Sequence, residues 1–334
     1  MKVLYLNERP NGFPNEDTFE VKETTRPELP KSGVVVQLLY ISVDPYMRGR
    51  MSNQKSYVAP FEIGEPIVGG AVGKVFESDS SKFKEGDLVT GFMPFAEYAA
   101  CKPEDLRMIQ VHGMDARVAL GVLGMPGLTA YFGMNKIAVP KKGETVVVSA
   151  AAGAVGSVAG QLALNAGARV IGLVGSDEKA KLITEDLKFT TAINYKADNF
   201  AQTLKNACPD GIDVYFENVG GEIADQIWPL LNPFARIPVC GSISSYNLKK
   251  GEQDIGPRVQ PYLVKSRAMM QGFLVGDFNE FNGEAYKELT SLLKDGKLIY
   301  KDSVEEGGIQ AIPQAFERLF NGDNIGKQLV KISD

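Results

Sequence analysis

Residues 1–120 carry short apolar runs separated by turn-forming residues. The clearest runs lie at 33–43, 69–76 and 87–91, and each is bounded by glycine, proline or aspartate. Short apolar runs with turn signals between them are typical of antiparallel β-structure. The pattern predicts a compact, mainly antiparallel unit such as a barrel.

From Glu144 onward, short apolar strands alternate with helices. An apolar helix is predicted over 155–166, where Gly167 provides a C-terminal stop, and Ser176 is placed to cap a second helix through 187. Further helices are expected at 199–207, 222–231 and 281–295, and strands at 145–149, 169–174, 192–194, 212–216, 237–239 and 269–274. Strands that alternate with helices imply a parallel, doubly wound sheet.

Two segments flank this alternating region. Residues 116–137 have helix-like apolar spacing that Pro126 and Gly127 interrupt, and residues 299–332 have a shorter mixed pattern. A chain of 334 residues is too long for one ordinary core. We therefore expect two domains, with the C-terminal segment returning to complete the first.

The composition is that of an ordinary soluble globular protein, with 44% apolar and 23% charged residues. The net charge of −5 argues against a nucleic-acid partner, which would need a basic stripe. No apolar run is long enough to cross a bilayer, and the N-terminus lacks the pattern of a secretory signal. These features predict a cytoplasmic protein with no membrane partner.

The chain offers few metal ligands. Cys101, Cys208 and Cys240 lie far apart, and we expect them to be reduced, small buried residues rather than nucleophiles. The single histidine, His112, lies beside a glycine and is expected to be incidental. Zinc sites need closely spaced cysteines and histidines, and the sequence has no CxxC or HxxxH pattern. The sequence therefore predicts no bound metal.

The strongest local signal is the segment Val-Val-Val-Ser-Ala-Ala-Ala-Gly-Ala-Val-Gly (146–156), a variant of the dinucleotide fingerprint with alanine at the first glycine position. Gly153 would let the backbone approach a pyrophosphate, and Gly156 would let the helix pack on its strand. The helix that begins near Val155 offers N–H groups and a positive dipole end to phosphates. The strand before the loop and the helix after it are the required context, and a tight turn without a ligand is the alternative.

The type of nicotinamide cofactor follows from the end of the second strand. An NAD-selecting carboxylate belongs about 20 residues after the loop, where this chain has Val174-Gly175-Ser176 instead. Lys179 follows within the first helical turn and is placed to reach a 2′-phosphate. Asp177 and Glu178 are the alternative, since either would supply the missing acid, although acids also favour a first helical turn. On balance the sequence favours NADPH.

Several longer motifs connect the chain with a known family. They are Val-Asp-Pro-Tyr-Met-Arg (43–48), Ser-Tyr-Val-Ala-Pro-Phe-Glu-Ile-Gly-Glu (56–65), Gly-Met-Pro-Gly-Leu-Thr-Ala-Tyr-Phe-Gly (124–133), Ala-Ala-Ala-Gly-Ala-Val-Gly-Ser (150–157), Gly-Ser-Asp-Glu-Lys (175–179), Asn-Tyr-Lys (194–196), Glu-Asn-Val-Gly-Gly (217–221), Cys-Gly-Ser-Ile-Ser-Ser-Tyr-Asn (240–247) and Gly-Asp-Asn-Ile-Gly-Lys (322–327). With these motifs the chain resembles the zinc-independent medium-chain dehydrogenases/reductases over its whole length. The branch is that of prostaglandin reductases, plant 2-alkenal reductases and bacterial curcumin-reductase-like enzymes.

The resemblance implies a mixed α/β fold with a GroES-like β-barrel domain and a Rossmann domain. The barrel would span 1–123, the Rossmann domain 124–297, and residues 298–334 would return to the barrel. The resemblance also implies NADPH-dependent reduction of the C=C bond of small α,β-unsaturated aldehydes or ketones, without metal, by a homodimer.

The resemblance further assigns residues to the cofactor. The loop at 153–156 would hold the pyrophosphate, Lys179 and Tyr195 the 2′-phosphate end, and residues 240–246 and 273–275 the nicotinamide. The full set is Thr129, Ala152, Gly153, Ala154, Val155, Gly156, Ser176, Lys179, Tyr195, Asn218, Cys240, Gly241, Ser242, Ile243, Tyr246, Phe273, Leu274, Val275 and Asn324.

Two departures from the family pattern stand out. The second Rossmann helix ends in Asp-Leu-Lys-Phe (186–189), without the expected glycine, so its end is expected to shift. The Gly-Trp segment that usually precedes Tyr98 is replaced by Pro-Phe-Ala-Glu (94–97), which is expected to reshape one wall of the substrate cleft.

Chemistry at an enone requires a donor near the carbonyl oxygen, because hydride added at the β-carbon pushes negative charge onto that oxygen. Tyr246 is the candidate donor, since a phenol with a pKa of about 10 is neutral at working pH. It follows a strand end of the cofactor domain, where open parallel sheets bind ligands. Tyr46 is a second candidate for the cleft wall, with barrel packing as its alternative role.

Three other functions fit parts of this pattern. A metal-dependent alcohol dehydrogenase shares the architecture but would lack ligands here. A quinone reductase of the same superfamily would share both the cofactor and the fold. A non-catalytic NADPH-binding protein is the alternative from another class. Rates with an enal and with a quinone would separate the two reductases.

Overall fold

The structure is a computed structural model of the 334-residue chain, and it describes residues 1–109 and 113–334. His112, expected to be incidental, lies outside the described residues. The strands are β1 (Lys2–Leu6), β2 (Phe19–Glu23), β3 (Val34–Ser42), β4 (Val68–Ser78), β5 (Leu88–Pro94), β6 (Tyr98–Cys101), β7 (Leu106–Met108), β8 (Thr145–Val148), β9 (Arg169–Val174), β10 (Thr191–Asn194), β11 (Ile212–Phe216), β12 (Leu231–Val239), β13 (Met269–Gly272), β14 (Asp302–Glu305) and β15 (Lys327–Lys331). The α-helices are α1 (Met47–Arg50), α2 (Met125–Phe132), α3 (Gly156–Asn165), α4 (Asp177–Glu185), α5 (Phe200–Ala207), α6 (Gly221–Ile227), α7 (Gln260–Ser266), α8 (Asn282–Lys294) and α9 (Ile312–Asn321). Within the described residues, no helix combines the length and apolar content that a membrane crossing requires.

The described residues form two compact units. The first comprises residues 1–120, 246–251 and 302–334, and the second comprises residues 121–245 and 252–301. The expected domain boundaries, after residues 123 and 297, lie near two of these divisions. The short excursion of residues 246–251 into the first unit had no sequence signal.

The first unit is built on a mainly antiparallel sheet with the strand order β14-β15-β3-β4-β5-β7, and β6 also pairs with β3. Buried valines and leucines along β3 supply its core. The C-terminal β15 pairs antiparallel with β3, with Leu329 opposite Ser42, so the end of the chain completes this sheet. A separate hairpin, β1 with β2, packs its buried residues into the same core.

The second unit is a six-stranded parallel sheet with the order β10-β9-β8-β11-β12-β13. The order runs outward in both directions from the β8/β11 pair, which makes that pair the topological switch point where ligands bind in such sheets. Both β9 and β11 coincide with their predicted strands, because each is largely apolar and buried. The predicted combination of a GroES-like barrel and a Rossmann sheet is confirmed.

The prediction for residues 222–231 was wrong at its C-terminal end. The helix α6 ends at Ile227, a 3₁₀ turn covers Trp228–Leu230, and β12 begins at Leu231. The strand is therefore much longer than the predicted 237–239. Pro229 explains the stop, since proline cannot donate the next helical hydrogen bond. Pairing of Leu231 with Ile212 of β11 then starts the strand early.

The second Rossmann helix ends earlier than its sequence pattern predicted. The helix α4 ends at Glu185, before the predicted 187. Lys188 takes a left-handed conformation with φ of 63°, where glycine is the usual residue. The next residue, Phe189, packs against Gly160 of α3, where an added Cβ would lie 1.9 Å from the Phe189 ring. Packing of the Phe189 ring offsets the free-energy cost of the left-handed backbone at Lys188.

The interrupted pattern at 116–137 corresponds to three short pieces. A 3₁₀ turn covers Ala116–Ala119, α2 follows, and a π-helical turn covers Gly133–Ala138. Pro126 lies in the first turn of α2, where its missing N–H costs nothing. Gly127 lies so close to Val122 that an added Cβ would be 1.8 Å from its carbonyl oxygen.

Candidate active site

The loop between β8 and α3 has two glycines with different roles. At Gly156 an added Cβ would lie 2.3 Å from the Ala150 carbonyl oxygen and 3.0 Å from Ala151 Cα, so only glycine fits there. At Gly153 the Ala150 oxygen, at 3.1 Å, is the one described atom within 4 Å of such a Cβ. Gly156 therefore serves packing, whereas Gly153 leaves an open approach to the backbone.

This loop fits a pyrophosphate group. Ala150, at the turn, takes a left-handed conformation with φ of 49°, which is strain of the kind found at ligand sites. The ten-residue α3 begins directly after the loop, and its N-cap residue Val155 provides no side-chain cap within the described part of the chain. In the first turn Ser157 N donates to Gly153 O at 3.0 Å, so the N–H groups of Gly156 and Val158 are the candidates for binding phosphate oxygens. The predicted residues 152–156 all lie in this loop or at the start of α3.

A buried polar network joins the carboxyl ends of β8 and β11. Glu217 is 2% exposed, and its Oε1 accepts hydrogen bonds from Ser149 Oγ at 3.1 Å and from Tyr215 OH at 2.9 Å. The same oxygen accepts from the backbone N–H groups of Val219 and Gly220. These bonds hold the turn after β11 at the switch point of the sheet.

Sequence reasoning missed Ser149, Tyr215 and Glu217. The available signal was a polar residue directly after each of two apolar strands. Burial raises the pKa of Glu217, and its backbone hydrogen bonds oppose that shift. Its second oxygen, Oε2, has no hydrogen-bond partner among the described residues.

The segment 240–243, which is predicted to lie beside the nicotinamide, is held to the turn after β11 by backbone hydrogen bonds. Cys240 N donates to Glu217 O at 2.9 Å, and Ile243 N donates to Asn218 O at 3.2 Å. Asn218 is itself fixed, because its Nδ2 donates to Ser149 O at 2.7 Å. The predicted residues Asn218, Cys240, Gly241, Ser242 and Ile243 therefore lie together at the switch point.

The remaining predicted residues of the second unit lie around this segment and on α2. Phe273 follows β13 and donates its N–H to Val239 O at 3.4 Å, while Leu274 and Val275 continue from it. Thr129 lies on α2, and its hydroxyl donates to Met125 O of the same helix at 2.8 Å. Such a bond satisfies the hydroxyl locally.

The three cysteines are free thiols. Burial, with a further contribution from Glu217, raises the pKa of Cys240 to about 12, and burial raises the pKa values of Cys101 and Cys208 to about 11. Thiols with such pKa values are neutral at physiological pH and are poor nucleophiles. Cys101 and Cys208 are buried, as expected for a packing role, whereas Cys240 is half-buried.

The predicted 2′-phosphate residues lie near the end of β9. Ser176 Oγ caps α4 by accepting from Lys179 N at 3.2 Å. Tyr195 lies against Gly175, where an added Cβ would be 2.9 Å from the Tyr195 hydroxyl. The carboxylate of Asp177, the rival acid, accepts from Asn194 Nδ2 at 2.9 Å.

Tyr46, Tyr246 and Asn324 belong to the first unit. Tyr46 precedes α1, and its buried hydroxyl has no hydrogen-bond partner within the described residues. Burial, followed by the charge of Asp44, raises the pKa of Tyr46. Asn324 is 8% exposed, and its Nδ2 donates to Gly326 O at 2.9 Å.

A buried ion pair supports the start of α1. Lys327, in β15, lies 3.2 Å from Asp44 Oδ1 and also donates to Val43 O at 2.6 Å. Ser42 Oγ donates to the other oxygen of Asp44. The pair therefore ties β15 to the turn that carries Tyr46.

The substituted segment 94–97 lies inside the first unit. Phe95 is fully buried, and its ring fills the space in which a Cβ on Gly69 would lie, 2.8 Å away. Phe95 O accepts from Leu4 N at 2.8 Å, and Glu97 Oε2 accepts from Lys2 N at 3.0 Å. Both contacts bind β1 to the sheet. The expected effect of segment 94–97 on the substrate cleft stays a prediction.

Metal ligands do not gather in the structure as far as it is described. Residues 1–109 and 113–334 contain no group of three or more histidine, cysteine, aspartate or glutamate side chains that could hold a metal ion.

Comparisons with known proteins identify the family. Residues 2–109 match a family model described as the N-terminal domain of oxidoreductase, and residues 154–293 match one described as zinc-binding dehydrogenase. The NADP⁺-dependent 2-alkenal reductase of Nicotiana tabacum is 42% identical to the chain, with 99% of this chain and 97% of the relative covered. The chain belongs to the medium-chain dehydrogenase/reductase superfamily. This confirms the resemblance stated from the sequence motifs.

Two further family members are similar over nearly their whole length. The NADPH-dependent curcumin reductase of Escherichia coli is 40% identical, with 98% of this chain and 96% of the relative covered. The crystal structure of CurA from Vibrio vulnificus in complex with NADPH superimposes with a TM-score of 0.95 at 38% identity and covers both chains completely. The family's cofactor chemistry is therefore that of NADP(H) oxidoreductases.

Proposed function

We propose that this protein is an oxidoreductase that uses NADPH to reduce the C=C bond of α,β-unsaturated aldehydes or ketones. The observation that carries the proposal is the full-length similarity to a reductase named for 2-alkenals, in which a C=C bond is conjugated with an aldehyde. The open approach to the backbone at Gly153 supports the binding of a dinucleotide cofactor. The hydrogen bond that Asp177, one of the two rival acids, accepts from Asn194 also supports NADPH, because it directs that carboxylate toward a protein partner.

In this proposal, separate groups of residues bind the cofactor and the acceptor. The loop 153–156 and the N-terminus of α3 hold the pyrophosphate, and Lys179 and Tyr195 hold the 2′-phosphate. NADPH, when bound, supplies the hydride that the β-carbon of the acceptor receives. Tyr246 donates a hydrogen bond to the acceptor's carbonyl oxygen and so stabilises the enolate, whose α-carbon then takes a proton from solvent water. Tyr46 lines the acceptor's site, and its buried hydroxyl, which has no hydrogen-bond partner among residues 1–109 and 113–334, is suited to a polar ligand atom.

The decisive test is a panel of enals, enones and quinones assayed by the absorbance of NADPH. We expect turnover with enals and enones, and product analysis should show a saturated C=C bond with the carbonyl intact. Faster turnover of quinones would favour a quinone reductase instead. Tight NADPH binding without oxidation of NADPH across the panel would indicate a non-catalytic binding protein.

We propose that the reaction needs no metal ion. Although one matching family model is described as zinc-binding, the expected outcome of dialysis against a strong chelator is unchanged turnover of the best enone. The control is metal analysis of the dialysed protein by mass spectrometry, which should find no stoichiometric zinc. Loss of turnover that returns when zinc is added would contradict the proposal.

Replacement of Lys179 by alanine should weaken NADPH binding selectively. A hydrogen bond to a charged group contributes about 1.5–3 kcal/mol, so we expect a Kd for NADPH that is about 10- to 100-fold higher. The Kd for NADH should change little, because NADH has no 2′-phosphate. Lys181→Ala is the matched control, since Lys181 lies on the same helix and is 72% exposed. Equal losses for both cofactors would show that Lys179 has another role.

We also propose that the protein is a homodimer in which a second copy covers β13. This strand ends the parallel sheet as described, its four residues are exposed, and Met269 and Met270 are 43% and 39% exposed. An apolar edge strand of this kind invites pairing. Met270→Lys should weaken the dimer at least about tenfold in light scattering, because a symmetric interface buries the added charge twice. Ile63→Lys, on the first unit, is the control, and a monomeric wild-type protein would refute the proposal.

A further inference from the structure

Arg48, in α1, is a buried cation with neutral partners. Its side chain is 6% exposed, and Nη2 donates to Gly12 O at 2.8 Å and to Pro10 O at 3.1 Å. Its Nε donates to Gly12 O and to Asn247 Oδ1, each at 3.1 Å. Burying a charge is costly, and all of these acceptors are uncharged. The guanidinium therefore contributes a defined geometry that an apolar side chain would not provide.

The contacts of Arg48 reach two separate segments of the first unit. One is the loop at 10–12, which Arg9 also fixes by donating to Met51 O and Phe61 O. The other is the segment 246–251, which begins with Tyr246. The two segments also touch directly, because Lys250 N donates to Asn11 Oδ1 at 2.8 Å.

We infer that Arg48 is a positioning residue for Tyr246, acting through Asn247 and the loop at 10–12. The inference rests on the proposed role of Tyr246 as hydrogen-bond donor. Tyr246 is adjacent to Asn247, so the backbone that carries the phenol is held where Arg48 holds Asn247. The planar guanidinium bridges several acceptors at once, which a lysine ammonium at the end of a flexible chain does not do. Arg48 touches no reacting atom in this scheme.

Substitutions of Arg48 can distinguish a positioning role from a role of its charge alone and from a role in the stability of the first unit. Because a displacement of about 1 Å can cost 100-fold in rate, Arg48→Met should lower kcat by about 10- to 100-fold while the Kd for NADPH stays unchanged. Arg48→Lys should not restore the rate, since it keeps the charge but not the geometry. Arg26→Met, which breaks an exposed ion pair with Glu77 in the same unit, is the control and should leave kcat unchanged.

The experiment that tests the inference is a double-mutant cycle on kcat with the full-length protein. It compares the wild type, Arg48→Met, Tyr246→Phe and the double variant, each with the same enone. If Arg48 acts through Tyr246, then Arg48→Met costs little further once the phenol hydroxyl is absent. An equal fold-loss from Arg48→Met in both backgrounds would overturn the positioning role and leave the donor role of Tyr246 intact.

The other outcomes are also informative. Wild-type kcat in Tyr246→Phe would overturn the donor role, and with it this inference. If Arg48→Met does not fold, Asn247→Leu replaces it in the cycle, because it removes one acceptor of the guanidinium. That variant should lower kcat by up to about tenfold, again only when the Tyr246 hydroxyl is present. Unchanged kcat in a folded Asn247→Leu protein would refute the inference.

Discussion

Gly153→Val should abolish tight NADPH binding and leave the protein folded. The backbone at Gly153 is the open side of the loop, where the Ala150 oxygen is the nearest described neighbour of an added Cβ. A valine side chain would stand where the pyrophosphate must approach the backbone. Loss of two charge-assisted hydrogen bonds corresponds to about 3–6 kcal/mol, so the Kd should rise at least about 100-fold. Titration of NADPH fluorescence measures this directly.

Gly156→Ala is the matched comparison for this prediction. Its added Cβ would lie 2.3 Å from the Ala150 carbonyl oxygen and would force the loop apart. We expect it to lower the free energy of unfolding by about 1–3 kcal/mol, as overpacking does. Without NADPH, Gly153→Val should unfold at nearly the wild-type denaturant concentration. Wild-type affinity for NADPH in Gly153→Val would show that phosphates bind elsewhere, and the proposed function would lose its basis.

The parts of the fold that were predictable are those whose pattern is local. The strands β9 and β11 are largely apolar and buried, and both match their predicted residues from end to end. The start of β12 was not predictable, because it depends on pairing with a strand about 20 residues earlier in the chain. The left-handed conformation of Lys188 was also not predictable, because it depends on the packing of Phe189 against Gly160.

In the candidate site, too, the features with a local sequence signal were predictable and the long-range contacts were not. Glycine spacing after a buried strand indicated the loop at 153–156. The structure brings most of the predicted residues of the second unit to the sheet's carboxyl edge, whereas Thr129 lies on α2. The Ser149–Glu217 contact joins residues 68 apart in the chain, and although each lies in a sequence motif, neither motif indicated that the two side chains meet. The Arg48–Asn247 contact spans 199 residues and is visible only once the chain is folded.

Tyr246→Phe should reduce turnover more than any other single change in the first unit. Removing one donor to a developing oxyanion typically lowers kcat by about 100- to 1000-fold. The NADPH Kd should stay unchanged, because the groups proposed to bind phosphate are in other segments of the chain. The aromatic ring remains, so the loss should appear in kcat and in kcat/KM together. Stopped-flow measurement of NADPH oxidation with a saturating enone would record it.

Tyr5→Phe is the matched control, because it removes a phenol hydroxyl from β1 of the same unit and leaves the ring that Lys22 contacts at 4.9 Å. Its kcat should equal that of the wild type. The size of the Tyr246 effect should also depend on the acceptor, since a more electron-poor alkene places less charge on its carbonyl oxygen in the transition state. A uniform loss across enones of different reactivity would mean that Tyr246 shapes the site and does not stabilise the charge.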